Sequence, residues 1–474
     1  MKKEHRAQKL STRREFLLGT AGLALATVLP ACSQATKTVQ NQATAPVISS
    51  VTDWGQVTAF VNVNLIPMVE EKIIENQTVI VKDKRIRKIG SSNEVVIPEK
   101  AHIIDGTRCY LMPGFVDMHA HIRVKSTRPL KLYLANGVTA IRNMDATEGL
   151  LGRAFILDWR NEIEAGKRIG PMIYTTGPII RGYEVQPWRY ISKHAKKGYD
   201  CIKIYEYFSE RGYRKAMRAA KELNLHTVGH IPFSVGLDGA ISEGMNEIAH
   251  IFVLVQELVD FDRDKNLSPK AWWPYLADAF VKMNSNSLDF SNDDFRRSLR
   301  ERTKILVDKL RETEIIVCTT LVMIEAATSE GKGYAGQIFR GRKELATFFR
   351  DLCKDLFIEL TQAGIPMVLG TDAGRLSGVI HGTSLHDELR IVTDCGFSPY
   401  QAIAACTKNA AKVTEAMTGK NDFGTIEVGK RADFILVNQN PLEDVSNIQD
   451  NRGVMAAGNW YSKEKLQEMI VLND

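Results

Sequence analysis

Gly114-Phe115-Val116-Asp117-Met118-His119-Ala120-His121 decides how this chain is read. The first five residues form a short, mostly apolar run of the kind that makes a buried strand. Side chains alternate along a strand, so His119 and His121 fall on one face, as a shared metal ion requires. Seven similar runs follow, at 138–142, 172–175, 201–205, 227–230, 247–250, 315–318 and 366–369. Helix-like stretches fill most of the gaps, for example Ser209 to Asn224 and Thr303 to Glu312. Strand-helix alternation argues for a parallel sheet. Eight such units predict an α/β fold, a closed (β/α)8 TIM barrel with its catalytic groups at the C-terminal ends of the strands.

The chemistry-bearing residues sit at those ends. His119 and His121, Lys203, His230, His250 and Asp372 close the first, fourth, fifth, sixth and eighth runs. Such a series can hold two metal ions, and a metal pair makes a hydroxide nucleophile from water at neutral pH. Lys203 lies among Cys201, Ile202 and Ile204, apolar neighbours that favour a buried amine over a strand-end ammonium reaching solvent. Asp372 has the alternative of capping a following helix. His102, His194 and His226 stand outside these motifs and read as hydrogen-bonded core or surface residues.

Substrate contacts are expected from Tyr205 and His381. Tyr205 and Tyr207 share the face of Lys203 by period-two spacing, with core packing as the competing role. His381 lies in the loop after the eighth run, where barrel loops shape pockets. Arg142 pairs either with a substrate carboxylate or in a structural salt bridge.

Longer motifs accompany these residues: Pro113 to His121, Ile202-Lys203-Ile204-Tyr205, Gly229-His230-Ile231-Pro232, Ala249-His250-Ile251, Gly370-Thr371-Asp372-Ala373-Gly374, and Gly424 to Leu436. Together they resemble the metal-dependent amidohydrolases of the imidazolonepropionase-related, prolidase-like branch, over roughly Val57 to Trp460. The resemblance implies that His119, His121 and Asp372 bind the more buried of two divalent ions, zinc being expected. His230 and His250 would bind the second. It further implies that Lys203 takes up carbon dioxide and bridges both ions as a carbamate, an anion where an ammonium would repel them. Burial lowers the amine pKa and favours the neutral form that reacts. Asp372 would take the proton of the bridging water and deliver it to the leaving amine. Where the family often has Arg-Asp, this chain has Arg142-Asn143.

Before and after the barrel the pattern changes to short strands with turns, as in Val57 to Val63 and Gln77 to Asp83. The resemblance implies one small β-sandwich built from both ends, residues 55–112 and 423–474, around a barrel at 113–422. Charges in Gly429 to Asp433 read as structural. The segment from Ile251 to Glu314 is long for one barrel connection and holds Trp272-Trp273-Pro274. It reads equally as a lid or as a helical insertion around a buried tryptophan pair.

Residues 1–31 read as an address. Ser11 to Leu17 contains Arg13-Arg14 and resembles a twin-arginine export signal, and Phe16 to Leu29 is apolar but short for a membrane span. Leu29-Pro30-Ala31-Cys32 resembles a lipoprotein cleavage box with Cys32 acylated, followed by a flexible tether over 32–54. The expected location is extracytoplasmic, membrane-anchored through that lipid.

Composition suits this division. Of 474 residues, 44% are hydrophobic and 25% charged, ordinary for a folded chain with a sizeable core. The net charge is +6, but the first 31 residues hold six Lys/Arg against two Glu, which leaves about +2 and no case for nucleic-acid binding. Apart from Cys32, six scattered cysteines read as buried thiols. The reading is an extracytoplasmic amidohydrolase acting on a small molecule such as a dipeptide or N-acyl amino acid, with homo-oligomer formation open. A lactonase or phosphotriesterase-like hydrolase on the same two metals is the alternative. A mononuclear deaminase is disfavoured because Ile231-Pro232-Phe233, without a glutamate, follows His230. A non-catalytic scaffold is disfavoured because every ligand is present.

Overall fold

A computed structural model describes residues 48–49 and 57–471, apart from 124, 150–153, 183–185, 261, 264–268 and 375–376. The export motif, Cys32 and most of the tether lie outside the described residues.

Eight parallel strands form the centre: β1 Phe115–Ala120, β2 Val138–Asn143, β3 Met172–Thr175, β4 Cys201–Ile204, β5 His226–Gly229, β6 Glu247–Ala249, β7 Ile316–Cys318 and β8 Met367–Val368. Ladders join β1 to β2 and β2 to β3, and then β4 in sequence through to β8. Single bridges complete the ring. Ile180 pairs with Ile204 and Thr176 with Cys201 between the third and fourth strands, while Ala120 pairs with Ala373 between the last and first. The hydrogen bonds Met118 N to Leu369 O (3.0 Å) and Asp372 N to His119 O (2.7 Å) reinforce that closure. The barrel expected from the sequence is therefore present, each strand within a few residues of its predicted run.

Local chemistry explains the helices. In Glu210–Glu222, Ser209 caps the N-terminus by accepting from Gly212 N, one of the donors a helix start leaves unpaired. Tyr213, Ala216, Met217 and Ala220 are its buried stripe, the spacing of one helical face. The helix Asp293–Arg311, capped by the Asn292 side chain, covers the predicted stretch from Thr303 and begins ten residues earlier.

A second sheet gathers both ends of the chain. Strands from 57 to 113 and from 434 to 462 form one eight-stranded sheet, in which Phe434–Val437 runs antiparallel to Tyr110–Pro113. Its far edge curls round, so that Ile86 exchanges backbone hydrogen bonds with Lys430 and Gly429 (2.9 and 2.8 Å). The resulting sandwich-like layer encloses Phe60, Leu65, Val79, Leu111, Phe434 and Met455. Because Pro113 ends a sandwich strand and Phe115 begins β1, this sheet fixes the start of the histidine strand. Within the Gly429–Asp433 turn, the Arg431 guanidinium binds Asp433 and lies over the Phe423 ring, so its charges are structural as expected.

The long sixth connection is a packed insertion. Trp272 and Trp273 are buried in the helix Pro269–Met283, and Trp273 and His250 both lie against Phe252, with ring centroids 5.0 and 4.8 Å away. Of the two readings of this segment, the buried tryptophan pair is the one seen.

Candidate active site

All six sequence-selected residues meet at the C-terminal mouth of the barrel. His119 is in β1 and Lys203 in β4; His121, His230 and His250 directly follow β1, β5 and β6, and Asp372 lies just beyond β8. Asp372 Oδ1 is 2.9 Å from His121 Nε2 and 3.5 Å from His119 Nε2. Lys203 Nζ stands 3.4 Å from His119 Nε2. The His250 ring centroid is 4.3 Å from that of His119 and 4.9 Å from that of His230. One ligand atom each from His119, His250 and Asp372 falls within 4.8 Å of the others.

A break in strand alternation brings His119 here. Val116 and Met118 already face the barrel interior with Cys318 and Val368, so strict alternation would turn His119 outward. Asp117 pairs with Ile141 but Ala120 with Asn143, three steps on β1 against two on β2. This bulge re-aims the strand end. Glycine makes room opposite: a Cβ on Gly370 would lie 2.6 Å from His119 Cβ and 2.8 Å from Cys318 Sγ. His250 and Asp372 have φ of +74° and +57°, a left-handed conformation that non-glycine residues keep only where the surroundings impose it.

Burial sets the protonation states. It holds the imidazoles of His119 and His250 well below their ordinary pKa, with the Lys203 charge adding to the effect. His230 is lowered by burial too, partly offset by Glu206. Neutral imidazole is the form that binds metal. Burial also brings the Lys203 amine down to about 8 against the pull of Asp372, so a fraction is neutral near physiological pH. Outer contacts hold two of the rings. Glu206 Oε1 accepts a hydrogen bond from His230 Nδ1 at 2.5 Å, and Thr320 Oγ1 lies 2.8 Å from His250 Nδ1. The Glu206 carboxylate, an acceptor, leaves the His230 Nε2 lone pair for a ligand, and both contacts are of the kind that orients metal-binding histidines. Imidazole and carboxylate donors converging in one buried cluster make a set that fits a divalent metal ion.

Three neighbours had no role in the sequence reading. Glu206 is one; its Oε2 is buried without a partner. Asp117 is the second. Its carboxylate, raised by burial to about 6, accepts from His119 N and Thr371 N (both 3.1 Å), Thr371 Oγ1 (2.6 Å) and Tyr133 OH (3.4 Å). It thereby fixes the His119 strand end to the segment that presents Asp372. Arg123 is the third, with Nη2 3.4 Å from His121 Nδ1 and 3.2 Å from Asp145 Oδ2.

The substrate candidates divide. Tyr205 lies over His230, ring centroids 4.5 Å apart, and burial raises its phenol far above the ordinary value, so it stays a proton donor. Tyr207 packs beside Tyr205 and Phe233. His381 is half-buried: its Nε2 is 3.2 Å from His121 O and its ring meets Tyr133 edge-on, which places it behind His121. Arg142 is fully buried and forms a bidentate ion pair with Glu247, whose carboxyl it pulls down to about 2 although burial alone would raise it. Of its two expected roles, the structural salt bridge is the one seen. His226 also bonds Glu247 (3.2 Å), His194 packs on Tyr199, and His102 is exposed.

Comparison with known proteins agrees with this fold. The amidohydrolase family model matches residues 305–461. An imidazolonepropionase from Geobacillus sp. is 24% identical over 411 residues, which is 78% of this chain and 87% of that protein. An adenine deaminase from Staphylothermus marinus is 36% identical over 85 residues, 17% of this chain. The match spans only 14% of that deaminase's length. Among solved structures, a Xaa-Pro dipeptidase with methionine in its active site superposes with a TM-score of 0.63 at 19% identity, covering 86% of this chain and all of that one. The bottromycin amidohydrolase gives 0.64 at 21% identity over 88% of this chain and 89% of its own. At such identities these structures speak to the fold.

Proposed function

We propose that this chain is a member of the amidohydrolase superfamily and a metal-dependent hydrolase of a C–N bond in a small amide, a dipeptide or an N-acyl amino acid. The observation that carries the reading is the meeting of Asp372 with His119 and His121, beside Lys203, His230 and His250, at the catalytic end of the barrel. In this reading His119, His121 and Asp372 hold one divalent ion, zinc being expected, and His230 and His250 the other. Lys203, if its neutral amine takes up carbon dioxide and loses a proton, would supply an anionic carbamate as a further ligand to these ions. When bound, such a pair polarises the substrate carbonyl and lowers the pKa of water toward neutrality. Asp372, at 18% side-chain exposure, accepts the proton of the attacking water and returns it to the leaving nitrogen. Tyr205 donates a hydrogen bond to a substrate oxygen, and His381, whose Nε2 holds the backbone of His121, contacts the substrate from the loop after β8.

The test is elemental analysis of protein grown with zinc, followed by assay on dipeptides, N-acyl amino acids, lactones and phosphotriesters. We expect close to two ions per chain and turnover of the amides. One ion or none would remove the binuclear reading, and turnover confined to lactones or phosphotriesters would remove the C–N assignment.

Export and lipid anchoring belong to the same proposal, supported by Arg13-Arg14, the apolar stretch to Leu29 and Cys32 in the sequence. Cys32→Ser is expected to abolish labelling by radioactive palmitate. A variant still labelled would place any lipid elsewhere.

A further inference from the structure

Glu388 is a buried carboxylate to which the reaction described above gives no role. It lies in the helix Thr383–Asp394 at 0% exposure. Its oxygens accept from the Thr319 hydroxyl, from Leu321 N (3.0 Å) and from Val322 N (2.6 Å). A carboxylate buried on hydroxyl and amide donors, with no cation among them, is costly to keep. The segment it grips runs from the end of β7 into the helix Leu321–Ser329 and contains Thr320.

Thr320 is anomalous in two ways. It occupies the N-cap position of that helix, where threonine ordinarily turns its hydroxyl back onto the first-turn amides, yet it makes no such bond. Its backbone is left-handed, φ +57° and ψ +37°, an outlier for a β-branched residue. Both features follow from one exchange. The first-turn amides of Leu321 and Val322 are satisfied by Glu388 from another helix, and the Thr320 hydroxyl is thereby released to His250 Nδ1 at 2.8 Å. Neighbouring backbone bonds, His250 N to Cys318 O (3.0 Å) and Ile251 N to Thr319 O (3.2 Å), hold the two segments in register.

We infer that Glu388 is a positioning residue for His250: by capping the helix in place of Thr320, it frees the Thr320 hydroxyl to fix the His250 ring with Nε2 toward the metal cluster. The inference rests on the proposed metal centre for its consequence, but the hydrogen-bond exchange stands apart from it. A glutamine at 388 can still accept with its carbonyl, but its amide nitrogen faces donors. Thr320 then reverts to capping its own helix and His250 loses its partner.

Three chains decide the matter: Glu388→Gln, Thr320→Val and the double variant. Zinc titration of the metal-free proteins should show one of two ions bound about 10- to 100-fold more weakly in each single variant, the usual effect of losing a histidine's outer partner. The double variant should be no weaker than the single ones, since both act through one contact. Nitrogen-15 imidazole spectra of the metal-free proteins should show the His250 Nδ1–H tautomer in the wild type and its loss in Glu388→Gln. Thr320→Ser, which keeps the hydroxyl, should behave as wild type. Should Glu388→Gln fail to fold, Glu388→Asp takes its place, drawing the carboxylate back by one methylene. A variant with a lower melting temperature but unchanged zinc affinity and tautomer would overturn the inference, as would additive weakening in the double variant. If the wild type bound no metal, the proposed function would fall, while the spectra would still decide the role of Glu388.

Discussion

Lys203→Ala is expected to empty the metal centre, leaving less than one ion per chain, and to lower turnover by at least about a thousandfold. The scale follows from losing several kcal/mol of charge stabilisation, each ~1.4 kcal/mol being tenfold in rate. The substitution should leave the fold intact. Lys203 is 2% exposed and its amine sits among His119, His230 and His250, so removing it relieves desolvation and cation repulsion in the metal-free protein. The vacated space adjoins the cluster, and a short-chain acid such as acetate or propionate can occupy it as a carboxylate substitute. Metal content and turnover should therefore recover in part with added acid. Full metal content in Lys203→Ala without any acid would make Lys203 an ordinary buried lysine.

The sequence revealed the residues of this centre better than their supports. His119, His121, Lys203, His230, His250 and Asp372 could be found because each ends a short apolar run, and the ends of parallel strands converge when a barrel closes. That convergence is a property of topology and survives local error. The alternation used to put His119 and His121 on one face did not by itself place that face inward. Met118 faces inward as well, and only the bulge before Ala120 reconciles the two. An extra residue in one strand leaves no mark in a single sequence.

Glu206 was missed for a related reason. Period-two spacing grouped Tyr205 and Tyr207 with Lys203 and sent Glu206 to the opposite face. The β4 strand ends at Ile204, so the rule has no force at 206, and the carboxylate turns to His230. Asp117 lay within the quoted motif, but its function is to join residues 254 positions apart in the chain, 117 and 371. Glu388 and Thr320 are coupled through a left-handed turn and a cap borrowed from another helix, neither of which composition or periodicity encodes. Likewise only resemblance implied that the two ends share a sandwich, and the specific pairing of Tyr110–Pro113 with Phe434–Val437 was not legible, since short strands at the two ends of a chain do not announce their partners.

Asp372→Asn separates holding from proton transfer. The amide keeps the shape of the carboxylate and one acceptor oxygen but has no useful basicity, so substrate should still bind while kcat falls by at least about a hundredfold, the usual contribution of a general base. Stability should hold or rise, because Asp372 occupies a left-handed conformation and serves the reaction, not the core. Assay at saturating zinc, with metal content measured on the same sample, separates a lost base from a lost ligand. Near wild-type kcat would mean that another group takes the proton. Glu206 is another carboxylate that contacts one of the imidazoles, already engaged by His230 at 2.5 Å and with its second oxygen buried. A Glu206→Gln change made on top of Asp372→Asn would then abolish the surviving activity if Glu206 were the base. If Asp372 is the base, Glu206→Gln alone should instead weaken metal binding at His230 about 10- to 100-fold through loss of its outer partner. The kcat measured with metal restored would be spared.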